Sequence, residues 1–162
     1  MYNPSAISSE IRSLVHSWEP RLNALPQEIY TQRHNNQDRN IKQILGHLVD
    51  SASNNTHRIV HLQYQPSPLI FPNYATFGNN DRWIAIQNYY GEDWNTLIGI
   101  WKYSMLHLCH VIEHVNLEKL KNQWTAGPDE VITLEEMIID FPVHMKLHLD
   151  EIEELIQGPD GK

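Results

Sequence analysis

TLEEMIIDFPVHMKLHLDEIEELI, residues 133–156, is the stretch that decides the fold. Thr133 followed three residues later by Glu136 is a capping-box pattern, in which hydroxyl and carboxylate satisfy each other's orphan backbone N–H groups at a helix start. Leu134, Met137, Ile138, Phe141, Met145, Leu149, Ile152 and Ile156 follow at helical spacing until Gly158-Pro159 ends the run. At about 100° per residue, His148 falls inside this apolar arc and His144 at its edge. Four residues apart, the two imidazoles project from adjacent turns of one face. Such pairs also arise by chance on polar faces. Here the face is largely apolar, and two buried, unpaired imidazoles cost free energy unless something such as a metal ion satisfies them. Pro142, two residues before His144, lacks a backbone donor and is expected to kink the helix and turn His144 toward an ion.

Three earlier segments carry the same period. The first runs roughly from Ser5 to Leu25, with Ile7, Ile11, Val15, Trp18 and Leu22 on one stripe and Pro26 as its stop. The second runs roughly from Asn40 to Leu62, burying Ile41, Ile44, Leu45, Leu48, Ala52 and Ile59. The third runs roughly from Asp93 to Val115, with Leu97, Ile98, Trp101, Met105, Leu108 and Ile112 facing inward. Strand signals are weak throughout, so the fold class is all-α, a four-helix bundle. About thirty residues, Gln63 to Glu92, separate its second and third helices, a length that suits a crossover connection. This connection is rich in aromatics, is expected to pack over the bundle, and adds a short helix near Asn80 to Tyr90. The expected organisation is a single domain over 1–157 with a flexible tail over 158–162.

Composition narrows the function classes. The 162 residues are 41% hydrophobic and 20% charged, enough for one packed core and too little charge for a disordered chain. A net charge of −8 with no Lys/Arg block argues against nucleic acid as a partner. No run reaches the roughly 18 apolar residues of a membrane span, and the N-terminus lacks an apolar signal core. A cytoplasmic protein is expected. Its single cysteine, Cys109, fits a reducing compartment and reads as an inert structural thiol.

Ten histidines in this length are the compositional anomaly. His107, His110 and His114 lie opposite the apolar stripe of the third helix and read as a solvated face. His57 and His61 point away from the buried face of the second, and His16 and His34 carry no signal. His47 sits on the flank of the second helix's apolar arc, beside Ile44 and Ser51. Periodicity alone favours a hydrogen-bonded histidine at the core edge over a ligand there.

The segment IKQILGHLVDS, residues 41–51, together with HMKLH, residues 144–148, resembles the DinB-like family of four-helix-bundle metalloproteins. The likeness spans roughly Ile7 to Ile156. That family includes bacillithiol transferases and is related to mycothiol-dependent isomerases. The resemblance implies that His47, His144 and His148 bind a divalent ion facially and leave positions open for water or substrate. Many members carry glutamine three residues after the last histidine, where this chain has Glu151. A carboxylate approaching the ion there would tighten its binding; otherwise it faces solvent.

Three neutral imidazoles leave a divalent ion its full charge, so it can ionise an incoming thiol or a water. The resemblance favours the first: a low-molecular-weight thiol activated for transfer to a small electrophile, with zinc or nickel as the foremost metals. A metal-dependent hydrolase using ion-activated water is the alternative, and a non-catalytic metal-binding or protein-interaction bundle is the third reading. No catalytic side chain is assignable from the pattern. Asp50 and Asp140 are candidates to accept a ring N–H from a ligating histidine; a solvated carboxylate is the competing reading for both, and the favoured one for Asp50. Asn54 is a candidate lining residue, though a solvated asparagine fits better. Arg82 beside Trp83 offers a cation and an aromatic for an anionic substrate, or simple loop packing. Trp94 and Trp101 are candidates for a homodimer contact, with core burial the safer assignment for Trp101.

Overall fold

The capping and periodicity signals become helices in the computed structural model, which describes residues 2–158. Six α-helices form: α1 Pro4–Asn23, α2 Gln27–Gln32, α3 Ile41–Leu62, α4 Asn79–Ile86, α5 Trp94–Glu113 and α6 Leu134–Gln157. Both Asn40 before α3 and Thr133 before α6 close a full capping box, with Gln43 and Glu136 as reciprocal partners. Asp93 caps α5 by accepting the Thr96 N–H. Helix α6 continues on both sides of the buried Pro142, so the proline does not break the element.

The four long helices build the bundle. Helix α5 packs between α1 and α3, and α6 packs against α3 and α1 on the other side. Paired side chains fix the directions. Lys42 reaches the carbonyls of Tyr90 and Glu92 at one end of α3, and Gln63 receives the Asn116 N–H at the other, so α3 and α5 run parallel. Neighbouring parallel helices require a connection that returns along the bundle, and residues 63–93 are that crossover. Glu10 pairs with Lys146 and Arg21 with Glu153, so α1 and α6 are also parallel. The core includes Ile11, Leu22, Leu45, Leu48, Trp101, Met105 and Ile152, each essentially sealed from solvent.

Two features depart from the sequence expectation. A short helix, α2, occupies part of the first connection. A hairpin, β1 Gln123–Gly127 and β2 Glu130–Thr133, precedes α6, its strands antiparallel with Trp124 opposite Ile132. The hairpin buries only Trp124 and Ala126 on one alternating face, too brief a pattern to outweigh the helical signals around it. It is not free-standing: Leu69 adds a parallel bridge to Trp124, and the Asn73 side chain donates to the Ala126 carbonyl. The crossover is thereby fastened to the hairpin at its start and to α3 at its end. Of its aromatics, Tyr74 and Tyr89 are buried, whereas Tyr64, Phe77, Trp83 and Tyr90 stay exposed.

Tyr89 lies against α3 where Gly46 leaves room. A Cβ at Gly46 would collide with the Tyr89 ring. Gly46→Ala is therefore expected to cost about 1–3 kcal/mol of stability through overpacking. The check is urea unfolding, with a lower midpoint and an unchanged m-value.

Trp101 is fully buried, and Trp94 is buried with its ring stacked on Tyr30, so neither offers a surface to a second copy. Apart from Gly158, the tail expected over 158–162 lies outside the described residues. No helix among the described residues is long and apolar enough to cross a membrane.

Candidate metal centre

Three of the ten histidines converge. Helices α3 and α6 run antiparallel, so a step up one is matched by a step down the other: His47 faces His148, and Ser51, one turn on, faces His144. His47 and His148 are 3% and 8% exposed, and His144 is half-buried. The Nε2 atoms of His47 and His148 are 3.0 Å apart, and those of His148 and His144 are 3.1 Å apart.

The outward ring atoms explain what holds the rings in place. Nδ1 of His47 meets the Tyr74 hydroxyl, which also lies 3.3 Å from the His47 carbonyl. The hydroxyl donates to that carbonyl and accepts the ring N–H. Nδ1 of His148 is 3.0 Å from Glu151 Oε2, an acceptor only, so this ring donates as well. Nδ1 of His144 has a longer contact, 3.4 Å, with Ser51 Oγ. Glu151 thereby assigns the Nδ1–H tautomer to His148, and Tyr74 assigns it to His47 when its hydroxyl serves the carbonyl; the Ser51 hydroxyl, able to donate or accept, is compatible with the same tautomer in His144. In that all-Nδ1–H arrangement the protons point outward and the three Nε2 lone pairs converge, His148 lying within 3.0 and 3.1 Å of the other two.

That arrangement is repulsive without a cation and is the ligand set of a divalent metal with one. Nitrogens held about 2.0–2.1 Å from one ion lie roughly 3.0–3.4 Å apart, which the two short separations match. Two of the rings are also held neutral, as ligation requires. Burial, reinforced by the other two rings, pushes the pKa of His47 down to about 2. Burial and His148 lower that of His144 to about 4, against the opposing pull of Glu151. Among the described residues no other histidine, cysteine or carboxylate joins the three as a fourth ligand.

A cleft of about 830 Å³ opens beside this cluster. His47 and His144 form part of its wall with Ser51, Asn55 and Tyr74; the hairpin contributes Trp124 and Ala126, and α6 contributes Met137 and Phe141. The three-histidine cluster thus borders an open, partly apolar cleft.

No protein-family model matches the chain, and no curated protein does. A solved structure matches. It is YfiT from Bacillus subtilis, described as "a probable metal-dependent hydrolase with an unusual four-helix bundle topology", with a TM-score of 0.80 over 95% of this chain and 86% of its own. The fold is shared with YfiT. At 16% identity the likeness speaks for architecture, and the chemistry has to be argued from this chain's own side chains.

The other site residues read from the sequence divide. Glu151 does reach the cluster, through His148. Its carboxyl is held below the usual carboxylate range, first by that hydrogen bond. Glu151→Ala is expected to weaken metal binding about 10- to 100-fold while leaving the fold intact, as read by competition with a chromophoric chelator. Asp140 lines the cleft but bonds to none of the three rings. Asp50 is neither solvated nor a histidine partner: it is buried, and Oδ1 accepts from the Tyr89 hydroxyl and Gln87 Nε2, each at 2.6 Å. Burial raises its pKa to about 6 against the pull of those two bonds. Asn54 is likewise buried, donates to the Asp50 carbonyl, and leaves the cleft wall to Asn55. Arg82 is exposed and bonds to Asn79; Trp83, largely exposed, meets Tyr74 edge-on, and neither lines the cleft.

Sequence reasoning missed Tyr74, Ser51 and Arg58 as functional candidates. Ser51 was within reach of it, being one turn after His47 on the same face. Tyr74 arrives from an irregular segment that carries no periodic signal. Arg58 reads as part of a polar face with His57 and His61, yet it is buried.

Proposed function

We propose that the chain is a metal-dependent enzyme in which a low-molecular-weight thiol attacks a small electrophile held in the cleft. The observation that carries this reading is the convergence of three imidazole Nε2 atoms at the edge of a cleft. A divalent ion bound there, zinc or nickel foremost, supplies a Lewis acid that lets a thiol ionise near neutral pH. Tyr74 and Glu151 hold two of the rings in one tautomer, so ligand binding need not reorganise them. The absence of a fourth protein ligand among the described residues favours a site open to a reactant over a closed structural one. Trp124, Met137 and Phe141 offer an apolar wall for the body of the electrophile and limit water around the nucleophile. The resemblance of the 41–51 and 144–148 segments to DinB-like proteins supports thiol chemistry in particular.

Hydrolysis is the second reading, favoured by the shared fold with YfiT and by that protein's description. The two are separated by supplying metal-loaded protein with an aryl halide in the presence and absence of small thiols, and with a p-nitrophenyl ester in the absence of thiol. Thiol-dependent product formation that chelation abolishes is the expected result. Ester turnover without thiol would replace the first reading with the second, and inactivity of the loaded protein in every arm would leave a binding site alone.

A further inference from the structure

Arg58 is a buried cation without a counter-ion among the described residues. It sits on α3 only 6% exposed and lines the same cleft as His47 and His144. Its guanidinium lies 4.2 Å over the Trp124 ring and 5.7 Å from that of Phe71, contacts that shield it without accepting its protons. Nε and Nη2 have no hydrogen-bond partner among the described residues, and neither does the adjoining Trp124 Nε1. Three neighbouring donors are thus left without an acceptor among the described residues. Glu130, Glu136 and Asp140 line the cleft too, yet none pairs with Arg58, and Glu136 is engaged by Thr133. Burial lowers its pKa only to about 10, so the group stays charged at neutral pH.

An isolated buried charge costs stability, and a chain folded for stability alone would place an apolar side chain here or a carboxylate beside it. We propose that Arg58, with Trp124 Nε1, is an anion subsite of the cleft, and that the substrate carries a carboxylate which docks there. The proposal names the substrate class of the proposed function and rests on that reading for the reacting end. Nε and Nη2 lie side by side on the guanidinium edge that carboxylates engage with two parallel bonds. Both are closed to water, so docking turns the guanidinium outward over the Trp124 ring.

Position sets the length of the substrate. His47, Ser51, Asn55 and Arg58 follow one another along one stripe of α3, all on the cleft wall. Eleven residues at about 1.5 Å each separate His47 from Arg58 by roughly 16 Å of rise, and helical side chains lean back toward the N-terminus. The docked carboxylate therefore lies on the order of 10 Å from the imidazoles. Beside the polar Ser51 and Asn55, the hairpin and α6 line the cleft with Trp124, Ala126, Met137 and Phe141. A carboxylic acid with an apolar body and its reactive group at the far end fits this arrangement.

The test uses metal-stripped protein, so that it does not depend on the metal centre. Binding of 4-phenylbutyrate and of 4-phenylbutanol, which share an apolar body and differ in charge, is measured by calorimetry. The acid is expected to bind about 10- to 100-fold more tightly, the range for hydrogen bonds to a charged group. Arg58→Met is expected to erase the preference and to melt no lower than the wild type, because it removes an unpaired charge. Arg58→Lys, which keeps a charge but not the planar fork, is expected to retain a reduced preference. His148→Ala is expected to retain it in full. Equal affinity for acid and alcohol in the wild type, binding of neither, a preference surviving in Arg58→Met, or an Arg58→Met chain that fails to fold would each overturn the proposal. Failure of the wild type to bind metal would remove the enzyme reading without touching this ratio, so the two failures are distinguishable.

Discussion

Replacing His148 with alanine is expected to lower divalent-metal affinity by on the order of 10²- to 10³-fold. A four-ligand zinc site in a small protein contributes about 10–16 kcal/mol, so one ligand of a few accounts for roughly 3–4 kcal/mol. His148 is the informative choice because it is the member whose Nε2 lies close to both of the others, at 3.0 and 3.1 Å. Without it, His47 and His144 are left on different helices with no shared neighbour. The variant also takes the closer of two partners from the Glu151 carboxylate, which keeps Asn35 at 3.5 Å, is half-exposed and can turn to water. The fold should survive, and far-ultraviolet circular dichroism is the control. His110→Ala, on the exposed face of α5, is expected to leave affinity unchanged. Competition titration against a chelator of known affinity reads both variants. Equal affinity in His148→Ala and wild type would place the ion elsewhere.

The second large effect is on thermal stability. A ligand that binds only the folded state stabilises it by mass action, and three converging imidazoles form no such site in the unfolded chain. At a free metal concentration about 100 times the dissociation constant the gain is roughly 2.7 kcal/mol. For a chain of this size each kcal/mol shifts Tm by about 2–4 °C, so stripping the metal should lower Tm by roughly 5–11 °C. Readdition should restore it, and His148→Ala should show no metal-dependent shift. Calorimetric melting of stripped, reloaded and variant protein decides the matter. A wild-type Tm indifferent to metal would mean that the convergence of rings is not a binding site.

The bundle was legible in the sequence because its signals are local. Capping boxes at Asn40 and Thr133 and a period near 3.6 over some twenty residues define α3 and α6, and the long second connection announces a crossover between parallel neighbours. The HxxxH pair was legible for the same reason, since both rings lie on one helix. His47 was not, as a reading of one helix. Its role depends on α3 meeting α6 antiparallel and in a register that sets His47 against His148, a property of two helices that neither encodes alone.

The pattern of misread polar residues has one cause. Asp50 and Asn54 favour a solvated reading from the sequence and Arg58 drew none, yet all three are buried. What covers them comes from the connections: Gln87 and Tyr89 fold over Asp50, while Trp124 and Phe71 cover Arg58. Periodicity reports which face of a helix is apolar. It does not report which polar face will be roofed by an irregular segment. Tyr74 illustrates the same limit, since its contact with His47 spans 27 residues of irregular chain and α3. Arg82 and Trp83 erred in the opposite direction: adjacent in sequence, they suggested a site, but on α4 they face water.

The central claim is that His47, His144 and His148 carry their protons on Nδ1 and turn three Nε2 lone pairs to one ion. Long-range ¹H–¹⁵N NMR of histidine-labelled protein reads tautomer and ligation together. On addition of zinc to stripped protein, the account predicts three rings in the Nδ1–H form whose Nε2 resonances shift together and reach saturation at one ion per chain. A ring among the three that stays protonated at Nε2 in the zinc-loaded protein, or a shift confined to His107, His110 and His114, would contradict it.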